Sequence, residues 1–449
     1  MKVAIVGAGW AGLAAASECL ERGLSVTVFD AAHHPGGRAR AVQDPALGEL
    51  DNGQHLLIGA YRQTLRIMRR DVGPSVIDNH LRRLPLWLRS ADRSFEIRQT
   101  AANNTPTAQA WMLLRARGLS LTDKWQVARF LRRLSQRQQD GLPSHGALTV
   151  AQWLALEHQG DRSCRWLWYP LCIATMNTAP DQACARLFAR VIRDSLLNPE
   201  PGATDLLIPG VTLGQLWPET IAKRVTARWG HVVKKITPVD QGVQIDGEAF
   251  DACVLATPPA NTCRLLAPET QFAELCRALE AFDYRSIATC YVEVSEHFPL
   301  PAPLLMFDHG RFNSNLTPSP QSPSLNARAH WVFDRPAILN EPPKAQLAFV
   351  ISDANNLNEP SDLALAKSLV EQLEHALERR ERAQVVNARC FVEKRATFAA
   401  VPELIRPAVK TGHERLVLAG DWTDTGYPAV LEGAVRSGIA AVDALMGHA

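Results

Sequence analysis

A chain of 449 residues, 46% hydrophobic and 21% charged, is long enough for two domains and can bury a large core. Its 48 basic and 46 acidic residues leave a formal net charge of +2, so no global electrostatic footprint points to nucleic acid. Nine cysteines stand singly, without a CxxC pair or regular spacing, which fits a reducing, cytoplasmic compartment and no structural metal. No apolar run is long enough to span a bilayer, and there is no internal repeat.

The first thirty residues include "KVAIVGAGWAGLAAASECLERGLSVTVFD", which reads as an apolar strand, a glycine turn, a small-residue helix and a second strand ending on an acid. In such a unit Gly7 makes the tight turn, Gly9 lets the backbone approach a pyrophosphate, and Gly12 lets the helix pack on the strand. Ala11 lies in the first helical turn, whose unpaired N–H groups and positive dipole end favour phosphate. Asp30 follows Gly7 by 23 residues, near the spacing at which a carboxylate accepts from ribose hydroxyls and disfavours a 2′-phosphate. A plain glycine turn, or a signal peptide with "AAAS" as a false cleavage site, leaves the acid-tipped second strand unexplained.

Beyond Asp30, "DAAHHPGGRAR" resembles the GGR segment of the FAD-dependent amine oxidase and carotenoid desaturase superfamily, in which Glu is usual at position 30. Gly36 and Gly37 permit positive φ and close backbone approach, and Arg38 offers a fork of donors to phosphate or to the flavin edge. The resemblance continues in "LDNGQHLLIG", which implies that Gly53, Gln54 and His55 pass beside the isoalloxazine ring. Residues 61–204 read as largely helical. Within them "WMLLRARGLSLTDKWQVARFLRRLSQRQQ" combines helical apolar spacing with many basic residues and a single acid, Asp123. It reads either as a solvated helix pair with a buried stripe or as an interfacial segment on anionic lipid, anchored by Trp111, Trp125 and Phe130. The tryptophan-rich stretch from Cys164 to Thr178 reads equally as the wall of an apolar channel or as an ordinary buried helix.

In the middle of the chain "GHVVKKI" resembles the family strand whose backbone, at Val233, pairs with the adenine edge. "DACVLATPPA" resembles the following strand and turn, with Ala256, Thr257 and Pro258 near the cofactor. Residues 266–409 alternate β-rich runs ("IATCYVEV", "HWVF", "QLAFVIS") with one helix, "DLALAKSLVEQLEHALERR", and the Pro-rich piece from Pro299 to Pro323 reads as an irregular loop. Near the end "RLVLAGD" is a strand closing on Gly420 and Asp421, the latter expected to hold the ribityl chain or the pyrophosphate. Leu431 and Glu432 open the last helix, whose N-terminus is expected to face the flavin N1/O2 edge, where negative charge gathers on reduction.

Flavin motifs at the start, middle and end predict a discontinuous FAD domain, 1–60, 205–265 and 410–449. A mainly helical cap, 61–204, and a mixed-sheet substrate region, 266–409, are expected between its pieces. The resemblance implies an α/β fold class: a Rossmann-like FAD-binding domain with a discontinuous α+β substrate domain, of the amine oxidase and phytoene desaturase type.

"LDNGQHLLIGAY", "KRATFAAVPELIRPA" and "LAGDWTDTGYPAVLEGAVRSGIAA" together resemble the squalene-associated FAD-dependent desaturases, a likeness that runs end to end. It implies an FAD-dependent oxidoreductase of squalene and hopanoid biosynthesis that reduces hydroxysqualene to squalene with reduced FAD. Family members with a cysteinyl flavin carry that Cys in the C-terminal block; the nearest here is Cys390, which implies non-covalent FAD. The implied partner is a long apolar isoprenoid, and the protein is expected in the cytoplasm or peripherally on the inner face of the membrane. No part of the sequence specifies an oligomeric state.

Loss of an allylic hydroxyl as water needs an acid. His55 is the first candidate, with backbone or ribityl hydrogen bonding as its other reading, and Tyr427 is the second, or a pocket wall. Asp51 is expected to order its own turn. The alternatives are a phytoene-type desaturase, a flavin amine oxidase, for whose aromatic cage only Tyr427 is well placed, and a non-catalytic prenyl-binding protein.

Overall fold

A computed structural model describes residues 1–99, 105–136, 147–296, 298–308, 329–339, 346–357, 359–379 and 382–447. β1 (Lys2–Val6) leads through the glycine turn into α1 (Trp10–Glu21) and back along β2 (Ser25–Asp30), which pairs parallel to β1. Parallel strands are covered on both faces, which explains the unbroken apolar runs in both.

The chain then leaves this layer through a helical stretch: α2 (Arg62–Val72), α3 (Pro106–Arg115), α4 (Leu121–Gln136), α5 (Tyr169–Met176) and α6 (Ala185–Asp194). A π-helical turn, Cys164–Trp168, runs directly into α5 and buries Trp166 and Trp168. The short α7 (Leu213–Leu216) precedes the return to the first sheet. There β3 (Thr226–Trp229) pairs with β2 and β4 (Ala252–Leu255) pairs with β1, both parallel.

A second sheet follows, made of β5 (Tyr284–Val294), β6 (Leu304–Met306), β7 (Trp331–Asp334), β8 (Gln346–Ser352) and β9 (Val385–Phe398). Its order is β6-β7-β8-β5-β9, with every pair antiparallel. α8 (Asp362–Ala376) covers one face, packing Leu365, Leu369 and Leu373 on Ala288, Cys290 and Val292 of β5. Tyr291 of the same strand points the other way, as the two-residue period of a strand requires. Finally β10 (Leu416–Leu418) joins β4 and α9 (Leu431–Leu445) packs on α1. The parallel sheet, in the order β3-β2-β1-β4-β10, is therefore assembled from the start, the middle and the end of the chain.

Three local expectations change. The segment containing Val233 is no strand: it is an irregular link between β3 and the hairpin strand Ile236–Val239. The Asp246 carboxylate accepts the N–H groups of Lys234 and Lys235 there, at 3.0 and 2.8 Å, so no strand ladder takes them up. The Pro-rich piece from Pro299 contains a strand, β6, because Leu304–Met306 pairs with β7; the part from residue 309 onward lies outside the described residues. Cys290 and Cys390 do not stand alone but face each other across the β5–β9 pair and form a disulfide. No described helix is long and apolar enough to cross a membrane.

The contact between α1 and α9 depends on a glycine. A Cβ on Gly438 would lie 2.2 Å from the Ala11 carbonyl oxygen and 2.8 Å from the Ala15 nitrogen, both rigid helix backbone. Gly438→Val is expected to force the helices apart and to cost about 3 kcal/mol, the upper range of overpacking. A thermal melt that leaves Tm unchanged would contradict this.

Candidate active site

The glycine turn is held from three sides. Gly7 has φ +111°, and a Cβ there would sit 2.5 Å from the Ala256 carbonyl at the end of β4. Asp30, at the tip of β2, accepts from the Ala8 N–H at 2.5 Å and from the Ala32 N–H at 2.7 Å, so its carboxylate orders the loop around the expected ribose position. Gly36 donates its N–H to the Ala8 carbonyl at 2.9 Å, and a Cβ on Gly37 would lie 3.0 Å from the Gly9 Cα. The GGR segment thus packs directly on the glycine turn. A Cβ on Gly9 would meet nothing within 4 Å. α1 starts beside that open space with no side-chain cap and no acid in its first turn, which leaves its N–H groups for an anion.

Arg38 and Asp421 meet although 383 residues separate them: Arg38 Nη2 donates to Asp421 Oδ1 at 2.7 Å. Asp421 holds the Arg38 guanidinium above its ordinary value, and Arg38 Nη1 also donates to the Ala396 carbonyl at 2.7 Å. Arg406, from "ELIRPA", organises the terminal loop. It donates to the carbonyls of Asp421 (2.8 Å), Trp422 (3.3 Å), Thr423 and Tyr427 (2.6 Å), and to Thr425 Oγ1 (3.0 Å). Burial lowers its pKa to about 10, which leaves it cationic at neutral pH. Gly420 is tied to α9 through Ser437 Oγ at 2.8 Å. Arg406→Met leaves those carbonyls without their donor and is expected to cost about 3 kcal/mol together with most of the bound flavin. The check is Tm and flavin absorbance per protein; a yellow variant with an unchanged Tm contradicts it.

α9 begins at Leu431 with no side-chain cap. Glu432 turns away from that end: its buried carboxylate accepts from Gln63 N (3.1 Å), Thr64 N (3.0 Å) and Thr64 Oγ1 (2.8 Å), capping α2, and from Arg436 Nε at 2.7 Å. Tyr427 donates its hydroxyl proton to Asp194 and accepts from Arg190 at 3.2 Å, so that proton is committed. Its ring lines a pocket beside the start of α9, together with Tyr61, Ile58, Thr175, Val191 and Val430. Tyr61 supplies a second aromatic wall that the sequence did not reveal.

The segment from Asp51 to His55 packs against β5. Asp51 does not order its own turn: Oδ1 accepts the Leu213 N–H that opens α7, at 3.0 Å, and its carbonyl accepts from the Tyr291 hydroxyl at 3.1 Å. Gln54 N donates to Thr289 Oγ1 at 3.3 Å, and Arg335 Nη1 donates to Gln54 Oε1 at 3.2 Å while its guanidinium lies over the Tyr291 ring. A Cβ on Gly53 would be 3.4 Å from His55 Nε2, so the glycine keeps that nitrogen's surroundings open.

The two titratable groups of this segment move in opposite directions for one reason, the cost of burying charge. Burial pushes the Asp51 carboxyl up to about 7, opposed by the Leu213 N–H and by Arg335. Burial pushes His55 down to about 4, which makes it a neutral imidazole at pH 7 rather than a proton source. Its Nε2 is buried without a hydrogen-bond partner, as expected of a group whose partner is a bound molecule. Val233, buried in its link, accepts at its carbonyl from Arg264 Nη2 at 3.2 Å.

The open face of Gly9, the uncapped start of α1, the Asp30 carboxylate and the orphaned His55 nitrogen all fit a flavin dinucleotide. The profile of the family described as "flavin containing amine oxidoreductase" matches residues 10–446. The hydroxysqualene dehydroxylase of Rhodopseudomonas palustris is 27% identical, over 99% of this chain and 98% of its own. The one from Sinorhizobium fredii is 26% identical, over 98% and 97%. Among solved structures, cyclohexylamine oxidase from Brevibacterium oxydans shares the fold with a TM-score of 0.66 at 17% identity, covering 99% of this chain and 98% of that one. From the glycine turn to the last helix, the chain belongs to the flavin-containing amine oxidoreductases and is an FAD-dependent oxidoreductase.

Proposed function

We propose that this protein reduces hydroxysqualene to squalene. Two relatives named for that reaction match end to end, which carries the reading, and the half-buried Asp51 carboxyl, held by the Leu213 N–H and raised towards neutrality by desolvation, supports it in the segment expected at the flavin. Replacing an allylic hydroxyl by hydrogen consumes one proton and one hydride and releases water. Reduced FAD, when bound, supplies the hydride.

The chain's own groups supply the rest. Asp51, held through Oδ1 by the Leu213 N–H, delivers the proton to the departing hydroxyl from its other oxygen. Arg335 favours the carboxylate that remains. Neutral His55 offers Nε2 to a polar edge of the cofactor, and Arg38 with Asp421 holds the cofactor's polar chain. Tyr61 and Tyr427 wall the pocket beside α9. A C30 isoprenoid binds through hydrophobic burial, which the side chains under α3 and α4 (Leu86, Ile97, Met112, Leu113, Val127 and Leu131) match in character.

Anaerobic incubation of the dithionite-reduced protein with hydroxysqualene, followed by mass analysis of the extract, tests the reading. Squalene with reoxidised flavin is the expected result. A bound, reducible flavin that yields no squalene overturns it.

A further inference from the structure

The outer face of α3 and α4 has a composition that the active site does not explain. Trp111 and Leu114 of α3 are 51% and 56% exposed, and Leu121 and Trp125 of α4 are 78% and 60% exposed. The two pairs belong to one surface, because Lys124 Nζ donates to the Leu114 carbonyl at 2.7 Å and ties the end of α3 to the start of α4. Arg115 and Arg129 lie over the rings of Trp111 and Trp125, at 5.0 and 5.2 Å. Arg132 adds a further exposed cation on α4. The one acid of either helix, Asp123, is buried and spends its carboxylate on the N–H and hydroxyl of Ser120. Exposed tryptophan and leucine among arginines, with the acid turned inward, complement an interface that is apolar within and anionic at its surface.

The inner face of the same helices has a second property. Met112 and Leu113 of α3 and Val127 and Leu131 of α4 roof an apolar pocket whose far wall includes Leu171 of α5. One turn further along α5, Thr175 lines the pocket that holds Tyr61, Tyr427 and Val430 at the start of α9. The helix pair therefore stands between the outer surface and the first cavity, and α5 lines both cavities, through Leu171 and Thr175.

We propose that the α3–α4 face docks on an anionic phospholipid bilayer and admits a lipid-borne substrate beneath these two helices. Docking stands on the surface alone; the admission of substrate rests on the isoprenoid reading given above. A second copy of this chain is the competing occupant, and an arginine-rich face is poorly matched to its own copy across a twofold axis, where like charges meet.

The experiment is co-sedimentation of the FAD-loaded protein with vesicles of phosphatidylcholine, alone or mixed with phosphatidylglycerol, at low and raised salt. Two variants accompany it: Trp111→Ser/Leu114→Ser/Leu121→Ser/Trp125→Ser, and Arg115→Gln/Arg129→Gln/Arg132→Gln. Both change exposed side chains, and retained flavin absorbance verifies folding. Binding to the mixed vesicles, weakened about tenfold or more by either variant and by salt, is expected. No binding, equal binding by all three proteins, or equal binding to both vesicle types overturns docking. So does self-association of the wild type in sedimentation equilibrium that the apolar variant abolishes.

Substrate entry has a separate readout. The apolar variant is expected to keep its turnover on detergent-dispersed hydroxysqualene while its apparent KM for vesicle-borne substrate rises about tenfold. Equal loss on both substrates overturns the entry route. If squalene forms in neither case even with wild type, the reaction reading has failed, and the vesicle result still decides docking.

Discussion

Asp51→Asn is expected to lower squalene formation by about 10²- to 10⁴-fold, the span usual for loss of a positioned acid, with FAD still bound. The substitution preserves shape and the acceptor oxygen for the Leu213 N–H, and removes only the transferable proton. Its pH dependence follows from the raised pKa of about 7. Wild-type turnover should be flat on the acid side of that value and fall about tenfold per pH unit above it, as the protonated fraction declines. The residual rate of the variant should lack that limb.

Stability separates this from damage to the fold. Because the carboxyl binds its proton more tightly in the folded state than in the unfolded one, its contribution is full below the ordinary carboxyl range. It is then lost as pH rises towards and through 7. Asparagine carries no such cost, so at pH 8 the variant should melt at or above the wild-type temperature while being nearly inactive. Full turnover by the variant would remove Asp51 from the reaction. A lowered Tm at pH 8 would show that the carboxylate is structural.

The elements that were legible in the sequence share a physical origin. β1 and β2 are covered on both faces and so read as continuous apolar runs, and Gly7 and Gly12 sit where backbone meets backbone. Val233 misled for the converse reason: "GHVVKKI" resembles a family strand, but here a distant side chain, Asp246, takes up the backbone N–H groups of Lys234 and Lys235. Partnerships set by tertiary register left no local trace. Arg38 with Asp421, Glu432 with the start of α2, and Cys290 opposite Cys390 are pairs that spacing alone cannot suggest. The division of labour between Asp51 and His55 was hidden in the same way. Desolvation moves both, in opposite directions, and burial belongs to the packed segment against β5 rather than to either residue type. Arg406 had a weak signal, a lone cation between apolar and proline residues in a stretch resembling its relatives, yet its five acceptors appear only when the terminal loop closes around it.

Gly9→Val is expected to abolish FAD binding while leaving the apoprotein folded, and its neighbours explain why this glycine, of the three, gives a clean result. A Cβ on Gly7 would lie 2.5 Å from the Ala256 carbonyl, and one on Gly12 would lie 1.9 Å from the Gly7 carbonyl. Substitution at either damages the fold and loses flavin for an uninformative reason. Gly9 has an extended backbone, φ −73° and ψ 176°, which any residue adopts, and open space where its side chain would go. The poorer helix cap costs about 1 kcal/mol. The valine methyls instead occupy the approach to the uncapped start of α1, where a pyrophosphate needs the helix N–H groups. Bound cofactor itself raises Tm by mass action, so the comparison must be between apoproteins, whose melting temperatures should agree within a few degrees. Added FAD should then raise the wild-type Tm and not that of the variant. A variant that purifies with full flavin occupancy would mean that the pyrophosphate does not cross Gly9, and the cofactor would have to enter the fold by another path.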